Sequence, residues 1–267
     1  MTRLITEWIA DIESTIKKKE EQLKSRTGMN YKALVAKASG CSVNDIERAS
    51  WEIIIGVVPI TTGLGMIGSF PQSVAAIAGA MGFRSFVTEH TDVDGIYEAY
   101  QKEADLIYIA DDDRFIAMNL HKKKVADNNI ATVAGYTAAL EGMTGPLAGK
   151  EILVLGYGTL GKEFAKLLKK KGAAVTAYDN DPDKAELLDK SDIRLIRHPD
   201  EIKEFRFIID ATSEGGWLHQ QHLHPEAWIV APGVPLSLDP ETYERYSDRV
   251  VHDCLEIGTA TMLGMAL

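Results

Sequence analysis

The second half of the chain alternates short apolar runs with stretches of helical periodicity. The runs are apolar on both faces, which is typical of strands buried in a parallel sheet with crossover helices between them. Their order and spacing predict a complete doubly wound, dinucleotide-binding α/β fold. The runs are Glu151–Leu155, Ala174–Tyr178, Arg194–Ile196, Arg206–Asp210, Trp228–Val230 and Arg249–Val251.

The first half alternates apolar runs and helical stretches less regularly, and this pattern predicts a smaller α/β domain. Apolar residues recur at every fourth position from Leu4 to Ile16, as in an amphipathic helix over residues 2–26. The charges of this helix are mixed in sign, so we expect it to pack on the protein rather than on a lipid surface. Strand candidates follow at Ile53–Val58, Ser85–Thr88 and Leu106–Ile109, and helical stretches lie near residues 71–82, 94–103, 113–120 and 128–142.

A stretch rich in glycine and proline, Met143–Gly149, marks the boundary between the two domains. We therefore expect an amino-terminal α/β domain over residues 1–147 and a Rossmann domain over residues 148–255. The last residues, Glu256–Leu267, form an apolar, methionine-rich helix that comes too late for the six-strand plan. We expect this helix to return to the first domain and to pack on it.

Composition and charge restrict the function classes. Hydrophobic residues make up 45% and charged residues 25% of the 267 positions, as in a folded globular protein. The formal net charge of −10 repels phosphate backbones and disfavours nucleic-acid binding. The longest apolar runs, Ile53–Ile60 and Val74–Phe83, are about half as long as a membrane span. Cys41 and Cys254 form no disulfide framework, and we expect a cytoplasmic protein that binds neither membrane nor nucleic acid.

Two glycine fingerprints of the form G-x-G-x-x-G follow apolar runs, at Gly63–Gly68 and at Gly156–Gly161. A dinucleotide needs backbone N–H groups at a helix N-terminus for its pyrophosphate and a carboxylate at the end of the next strand for its ribose. Only the second fingerprint meets both needs, because its next strand ends at Asp179. No arginine follows Asp179, so we expect NAD rather than NADP as the cofactor.

The first fingerprint is interpreted as a substrate-side loop. Pro59 and the pair Thr61-Thr62 precede its glycines, and the nearest carboxylate that closes a strand is Glu89. Its glycines would allow the backbone to approach a small molecule. The alternative, in which these glycines serve only the geometry of a turn, remains open.

Three aspartates, Asp111–Asp113, follow the strand candidate Leu106–Ile109, at the kind of strand end where α/β proteins bind ligands. They could hold a substrate amine or act as a base. One of them could instead cap a helix that starts near Arg114, or they could bind a divalent metal.

Two further chemistries find no support in the sequence. His219, His222 and His224 lie close together without a fourth ligand at a known spacing, so we expect a solvated loop and no metal site. No G-x-S-x-G elbow is present, so hydrolase chemistry has no support.

Several strings along the chain resemble the PylD family, the dehydrogenases of pyrrolysine biosynthesis. They occur in the family's order and cover nearly the whole chain: Gly56–Phe70, Ala110–Asp112, Asn119-Leu120, Ala126–Asn129 and Ile257–Ala260. The resemblance implies NAD-dependent oxidation of the terminal amine of the dipeptide-like lysine-Nε-3-methylornithine to an imine. Water then releases ammonia, and the semialdehyde closes the pyrroline ring of pyrrolysine.

The resemblance also implies residue roles. Asp111 matches the key substrate carboxylate, and Leu4, Thr62, Ile67 and Asn128 match positions around the substrate. Thr62 stands in place of a serine, and Asp253 stands where a glutamate is usual. The implied cofactor contacts are Gly156, Gly158, Thr159, Leu160, Gly161, Asp179, Thr212, Ser213, Ala231, Pro232, Gly233 and Asp253.

Two alternatives remain at this point. One is a related two-domain NAD-dependent dehydrogenase of another amino acid or of a folate, because fold alone does not fix the substrate. The other is an NAD-binding regulatory module without turnover, which the aspartate triplet and the additional glycine loop at Gly63–Gly68 disfavour. The sequence leaves a homodimer open.

Overall fold

The computed structural model describes residues 4–184 and 193–267. These residues form two compact units. The first, here called the mixed-sheet unit, contains residues 4–24, Met29–Gly135 and Leu255–Leu267. The second, the parallel-sheet unit, contains Ser25–Gly28 and the described part of Tyr136–Cys254. The domain boundary between residues 147 and 148 stays a prediction.

Strands β1 to β5 build the mixed sheet in the order β2-β1-β3-β4-β5. Strand β1 pairs in parallel with β2 and β3, while β4 runs antiparallel between β3 and β5. The carboxyl ends of β1, β2, β3 and β5 therefore lie along one edge of this sheet. The strands are β1 (Ile54–Val58), β2 (Arg84–Val87), β3 (Leu106–Ala110), β4 (Phe115–Asn119) and β5 (Lys124–Asp127).

In the described residues, six helices precede or connect these strands and a seventh, α7, follows β5. The predicted leading helix is two helices, because the chain turns between Ile9 and Ile12. Two helices of the first half, α3 and α4, were not predicted. The helices are α1 (Thr6–Ile9), α2 (Ile12–Thr27), α3 (Tyr31–Ser39), α4 (Val43–Glu52), α5 (Phe70–Ala80), α6 (Asp92–Gln101) and α7 (Asn128–Thr144).

The helix predicted over residues 113–120 is wrong, because this segment contains strand β4. Phe115 pairs with Ala110 and Asn119 pairs with Leu106, so β4 folds back along β3 as a hairpin. Strand β4 has a sheet neighbour on each side, and its residues are half-buried or buried throughout. Without an exposed polar face, its period of two is hidden in the sequence.

The parallel-sheet unit carries a six-stranded sheet in the order β11-β10-β9-β6-β7-β8. All its strand pairs are parallel, which is the doubly wound order with β6 at the switch point. The predicted α/β Rossmann fold is therefore confirmed. The elements are β6 (Glu151–Leu155), α8 (Thr159–Lys170), β7 (Ala174–Tyr178), β8 (Arg194–Leu195), β9 (Phe207–Asp210), β10 (Trp228–Ala231), α9 (Pro240–Tyr246) and β11 (Val250–His252).

The last helix, α10 (Glu256–Ala266), packs within the mixed-sheet unit, as predicted. It contacts α3, α5, β4 and β5, and nearly all its side chains are buried. The Tyr108 hydroxyl donates to the Thr259 carbonyl at 2.9 Å, and Asn119 Nδ2 donates to the Ala266 carbonyl at 3.0 Å. At the start of α10 the fully buried Glu256 carboxylate accepts from Lys19 Nζ at 2.5 Å, which joins this helix to α2.

Among the described residues, no helix combines the length and the apolar character needed to cross a membrane.

Candidate active site

The turn between β6 and α8 leaves no room for side chains at two of its glycines. A Cβ on Gly156 would lie 2.9 Å from the Ala211 carbonyl oxygen, and one on Gly161 would lie 1.9 Å from the Gly156 carbonyl oxygen. Gly158 has no heavy atom within 4 Å of its Cβ position, so a ligand can approach the backbone there. Helix α8 begins with Thr159 and Leu160, and the residue before it, Gly158, has no side chain to cap the helix. The first N–H groups of α8 therefore face an open cradle that suits a pyrophosphate.

The carboxylate of Asp179 follows β7 and lies beside this turn. Its Oδ2 accepts the N–H of Tyr157 at 2.6 Å, and its Oδ1 accepts the N–H of Asp181 at 2.9 Å. Only 4% of this side chain is exposed. Lys184 Nζ lies 3.7 Å from Asp179 Oδ2 and 3.4 Å from Asp181 Oδ2. Lys184, whose charge faces these two carboxylates, was not predicted, because it is a lysine and not the arginine that marks NADP sites.

The ends of β9 and β10 approach each other closely at the same edge of the sheet. The Gly233 N–H donates to the Asp210 carbonyl at 3.0 Å, and a Cβ on Gly233 would lie 2.2 Å from the Thr212 carbonyl oxygen. Ser213 is exposed, whereas the stretch Ala231–Gly233 is buried. The carboxyl edge of the parallel sheet thus brings together five of the predicted cofactor residues: Thr212, Ser213, Ala231, Pro232 and Gly233.

Two carboxylates complete this edge. Asp253 follows β11, and its N–H and carbonyl both bond the Tyr136 hydroxyl, at 3.0 and 3.1 Å. Asp210 is fully buried and was not predicted as a site residue. Burial raises its pKa, against the hydrogen bonds from Ser237 and Thr212 that lower it. The glycine cradle, the strand-end carboxylate and the bare helix N-terminus together fit a nicotinamide dinucleotide.

The mixed-sheet unit has its own cluster at the carboxyl edge of its strands. The loop 59–69 follows β1, the aspartate triplet follows β3, and Asn128 follows β5. Gly63 and Gly65 have φ of +73° and +82°, in the left-handed region that favours glycine. Helix α5 begins only at Phe70, so this fingerprint does not form a tight strand-to-helix turn.

The aspartates of the triplet have separate contacts. Asp111 Oδ1 accepts the N–H groups of Asp113 at 2.9 Å and Arg114 at 2.7 Å, so it closes the hairpin turn between β3 and β4. The alternative in which one of these aspartates caps a helix near Arg114 is therefore wrong, since strand β4 begins at Phe115. Asp111 Oδ2 accepts no hydrogen bond from the described residues, and the side chain is exposed. Asp112 Oδ2 instead accepts the N–H of Leu64 at 2.6 Å and so holds the glycine loop.

A second contact anchors the start of the glycine loop. The Thr61 N–H and hydroxyl donate to the two carboxylate oxygens of Asp92, at 2.9 and 2.6 Å. These hydrogen bonds keep the pKa of Asp92 below its usual value. Asp92 was not predicted, and Asp112 was predicted only as a member of the aspartate triplet and not as an anchor of this loop, because each pairs with a residue far away in sequence. The adjacent Thr62 is exposed, so its side chain is accessible at the loop surface.

Of the remaining predicted substrate residues, Ile67 and Asn128 lie in the loop and at the sheet edge, and Leu4 lies two residues before a residue that packs against the loop. Ile67 is half-buried within the loop. Leu4 precedes α1, whose Thr6 packs against the loop: a Cβ on Gly68 would lie 2.9 Å from Thr6 Oγ1. Asn128 is buried at the start of α7, and a Cβ on Gly258 would lie 2.8 Å from its Oδ1.

The histidine stretch has structural contacts. His219 Nδ1 lies 2.9 Å from Asp239 Oδ2, and His224 Nδ1 accepts the N–H of Glu226 at 3.0 Å. Within residues 4–184 and 193–267, no group of three or more histidine, cysteine, aspartate or glutamate side chains could hold a metal ion.

Comparison with known proteins gives two family matches. Residues 8–126 match the family described as pyrrolysine biosynthesis protein PylD, N-terminal domain. Residues 115–212 match the D-isomer specific 2-hydroxyacid dehydrogenase, NAD binding domain. With the glycine cradle, the second match makes the parallel-sheet unit a nicotinamide dinucleotide-binding domain of the dehydrogenase type.

Two solved dehydrogenases share the fold. Shikimate dehydrogenase from Aquifex aeolicus has a TM-score of 0.51 at 15% identity and covers 79% of this chain and 89% of its own. FolD, a methylenetetrahydrofolate dehydrogenase/cyclohydrolase from Campylobacter jejuni, has a TM-score of 0.52 at 14% identity and covers 96% and 94%. At these identities the likeness shows the two-domain α/β fold alone.

Two relatives that match most of the chain carry a common name. Pyrrolysine synthase of Methanosarcina barkeri is 32% identical over 266 residues, which are 98% of this chain and 97% of the relative. Pyrrolysine synthase of Methanosarcina acetivorans is 37% identical over 212 residues, 78% of this chain and 80% of the relative. The chain therefore belongs to the pyrrolysine synthase (PylD) family.

Proposed function

We propose that this protein is an NAD-dependent amine dehydrogenase that completes pyrrolysine biosynthesis. The observation that carries the proposal is the exposed carboxylate of Asp111 at the carboxyl edge of the mixed sheet. It belongs to a chain whose other unit binds a nicotinamide dinucleotide and whose relatives are named pyrrolysine synthase. The proposed substrate is lysine-Nε-3-methylornithine, a small dipeptide-like molecule.

Asp111 has one oxygen for structure and one for the substrate. The two backbone N–H groups at Oδ1 fix the orientation of the carboxylate, which leaves Oδ2 to pair with the terminal ammonium of the substrate. The pairing orients the amine-bearing carbon, and Oδ2 can accept the proton that the nitrogen must lose before a hydride leaves. The bound cofactor supplies the hydride acceptor.

The overall change balances with one oxidation. The amine-bearing carbon loses a hydride and its nitrogen loses a proton, which gives an imine. Water adds to the imine and ammonia leaves, so the carbon becomes an aldehyde. The α-amine of the same ornithine moiety then attacks the aldehyde and releases water. The product is lighter than the substrate by one ammonia and two hydrogens.

The glycine loop and its neighbours would contact the rest of the substrate. Thr62 offers a hydroxyl, while Leu4 and Ile67 offer apolar surface near the same loop. Asn128 provides an amide at the end of β5.

Asp179 supports NAD over NADP as the cofactor. Its carboxylate would accept hydrogen bonds from the ribose hydroxyls and repel a 2′-phosphate. Lys184 does not reverse this preference, since its charge is shared between Asp179 and Asp181. A titration with NADH and NADPH tests the preference, and equal affinities would contradict it.

The deciding experiment incubates the purified protein with NAD⁺ and lysine-Nε-3-methylornithine. NADH absorbance, free ammonia and the ring-closed product mass should appear together. Asp111→Asn should remove most of the turnover while NADH affinity stays near the wild-type value. Asp113→Asn is the matched control, because it removes one charge from the same exposed turn and should keep turnover. Equal loss in both variants would contradict the role of Asp111.

The alternatives give different results in the same assay. Turnover with a folate or a simple amino acid, and none with lysine-Nε-3-methylornithine, would favour a related dehydrogenase of another substrate. NADH binding without any turnover would favour a regulatory module. We further propose a cytoplasmic enzyme that acts without nucleic acid, in keeping with the net charge of −10 and two free cysteines. A homodimer remains a proposal that sedimentation can test.

A further inference from the structure

Asp210 is a fully buried carboxyl group to which the reaction above gives no role. It ends β9, next to the first glycine of the cofactor turn. The Ala211 N–H donates to the Leu155 carbonyl at 2.8 Å, and the Thr212 nitrogen would lie 3.1 Å from a Cβ on Gly156. The chain around Asp210 therefore has no spare space on its β6 side.

The carboxylate joins two segments that leave the sheet separately. Its Oδ1 accepts the Thr212 N–H at 3.1 Å and the Thr212 hydroxyl at 2.6 Å. Its Oδ2 accepts the hydroxyl of Ser237, which is also fully buried and lies 27 positions further along the chain. One side chain thus connects the segment that follows β9 with the segment that follows β10.

The two segments then run side by side. The Gly216 N–H donates to the Leu236 carbonyl at 3.1 Å, and the Leu218 N–H donates to the Ser237 carbonyl at 2.9 Å. Together with the backbone hydrogen bond from Gly233 to Asp210, these contacts join the two segments into one hydrogen-bonded layer at the carboxyl edge of β9 and β10. Asp210 lies at the base of this layer.

The position of Asp179 indicates which half of the cofactor meets this layer. Asp179 follows β7, on one side of the central strand β6, and would hold the adenine-side ribose. In a doubly wound sheet the dinucleotide extends across the switch point. The nicotinamide half is therefore expected over β9 and β10, where Thr212 and Gly233 lie.

We propose that Asp210 is a positioning residue that holds the Thr212 and Gly233 segments in place for the nicotinamide half of the cofactor. The inference rests on the dinucleotide site of the proposed function and is independent of its amine substrate. Asp210 itself has no exposed surface, so it acts through Thr212 and Ser237 and not by contact with the ligand.

The test compares a whole dinucleotide with its adenine half on the full-length protein. Affinities for NADH and for ADP are measured by fluorescence and calorimetric titration. Asp210→Ala leaves the Thr212 and Ser237 donors without their acceptor, so NADH should bind about tenfold more weakly or worse, while ADP affinity should stay within about twofold. Asp210→Asn keeps an amide oxygen for Thr212 and an amide N–H for Ser237. It should restore NADH affinity to within about threefold of wild type.

Thr176→Val is the matched control. The buried Thr176 hydroxyl also donates to a carboxylate, Glu151 Oε1 at 3.4 Å, but it lies within β7 rather than at the edge that carries Asp210. This variant should change neither affinity. Should Asp210→Ala fail to fold, Ser237→Ala gives the same comparison, with NADH weakened by about threefold and ADP unchanged.

Three results would overturn the proposal: equal weakening of NADH and ADP, unchanged NADH affinity in the alanine variant, or failure of the asparagine variant to restore it. None of them depends on amine turnover. A wild-type protein that binds NADH but oxidises no amine would reject the proposed function and leave this comparison intact.

Discussion

The contact between Gly63 and Asp112 allows a quantitative test of how the glycine loop is held. A Cβ on Gly63 would lie 2.0 Å from Asp112 Oδ2, the atom that accepts the Leu64 N–H. Alanine at this position therefore requires the Asp112 carboxylate to leave its position beside the Leu64 N–H. Gly65 lies in the same loop with a similar positive φ, but no heavy atom is within 4 Å of its Cβ position. Gly63→Ala and Gly65→Ala are therefore a matched pair.

The difference between the two variants follows from the structure. Both variants place alanine in the left-handed region of backbone conformation, which costs about 1–2 kcal/mol. Gly63→Ala also displaces Asp112 and breaks its charged hydrogen bond to Leu64, a further loss of about 1.5–3 kcal/mol. If substrate binding requires the ordered loop, kcat/KM for the amine should fall about tenfold to a hundredfold further in Gly63→Ala than in Gly65→Ala.

The first assay is steady-state kinetics with lysine-Nε-3-methylornithine at saturating NAD⁺. NADH affinity serves as the control and should not change, because Gly63 and the cofactor residues belong to different units. Hydrogen exchange at the Leu64 amide gives a readout without substrate. That amide is held by Asp112 in the wild type and should exchange faster in Gly63→Ala than in Gly65→Ala.

A double-mutant cycle completes the test. In an Asp112→Ala background the clash is absent, so Gly63→Ala should cost no more than Gly65→Ala. Equal kinetic losses and equal Leu64 exchange rates for the two glycine variants in the wild-type background would refute the role of Asp112 in holding the loop.

Three further predictions concern other parts of the chain. Lys19→Met leaves the buried Glu256 carboxylate without its ammonium partner, so urea unfolding should show a loss of about 3 kcal/mol that the added change Glu256→Gln relieves; an equal loss in the exposed control Lys18→Met would contradict this. Gly161→Ala forces a Cβ to 1.9 Å from a backbone oxygen of the cofactor turn, so NADH affinity should fall at least tenfold, and unchanged affinity would reject the close-packed cradle. Burial raises the pKa of the Asp210 carboxyl above its usual value of 3.8 in the folded state. The free energy of unfolding of the wild type, relative to that of Asp210→Asn, should therefore be greatest below pH 3.8 and fall as the pH rises through the folded-state pKa. A difference that grows with pH would contradict this sign.

The parallel sheet could be predicted because its strands are buried on both faces and therefore read as apolar runs. Glu151–Leu155 and Ala174–Tyr178 are observed with the predicted bounds. Strand β4 could not be predicted in the same way. It is held by hydrogen bonds to β3 and β5, and its apolar residues occupy both faces, so a helical period fitted the segment equally well.

The candidate site divides along similar lines. The cofactor turn is local, because Gly156, Gly161 and Asp179 stand at a spacing that the chemistry fixes. The contacts of Asp112 with Leu64, Asp92 with Thr61 and Asp210 with Ser237 join residues 27 to 48 positions apart. Nothing in the local sequence marks them, since they depend on which strand ends the sheet brings together.

In the proposed reaction the terminal amine of the substrate is oxidised and lost as ammonia. The most direct measurement uses lysine-Nε-3-methylornithine that carries heavy nitrogen at the terminal amine of its methylornithine moiety. We expect one labelled ammonia for each NADH formed and an unlabelled product that is lighter by one ammonia and two hydrogens. NADH formation with the label retained in the product, or with no ammonia released, would contradict the proposed reaction.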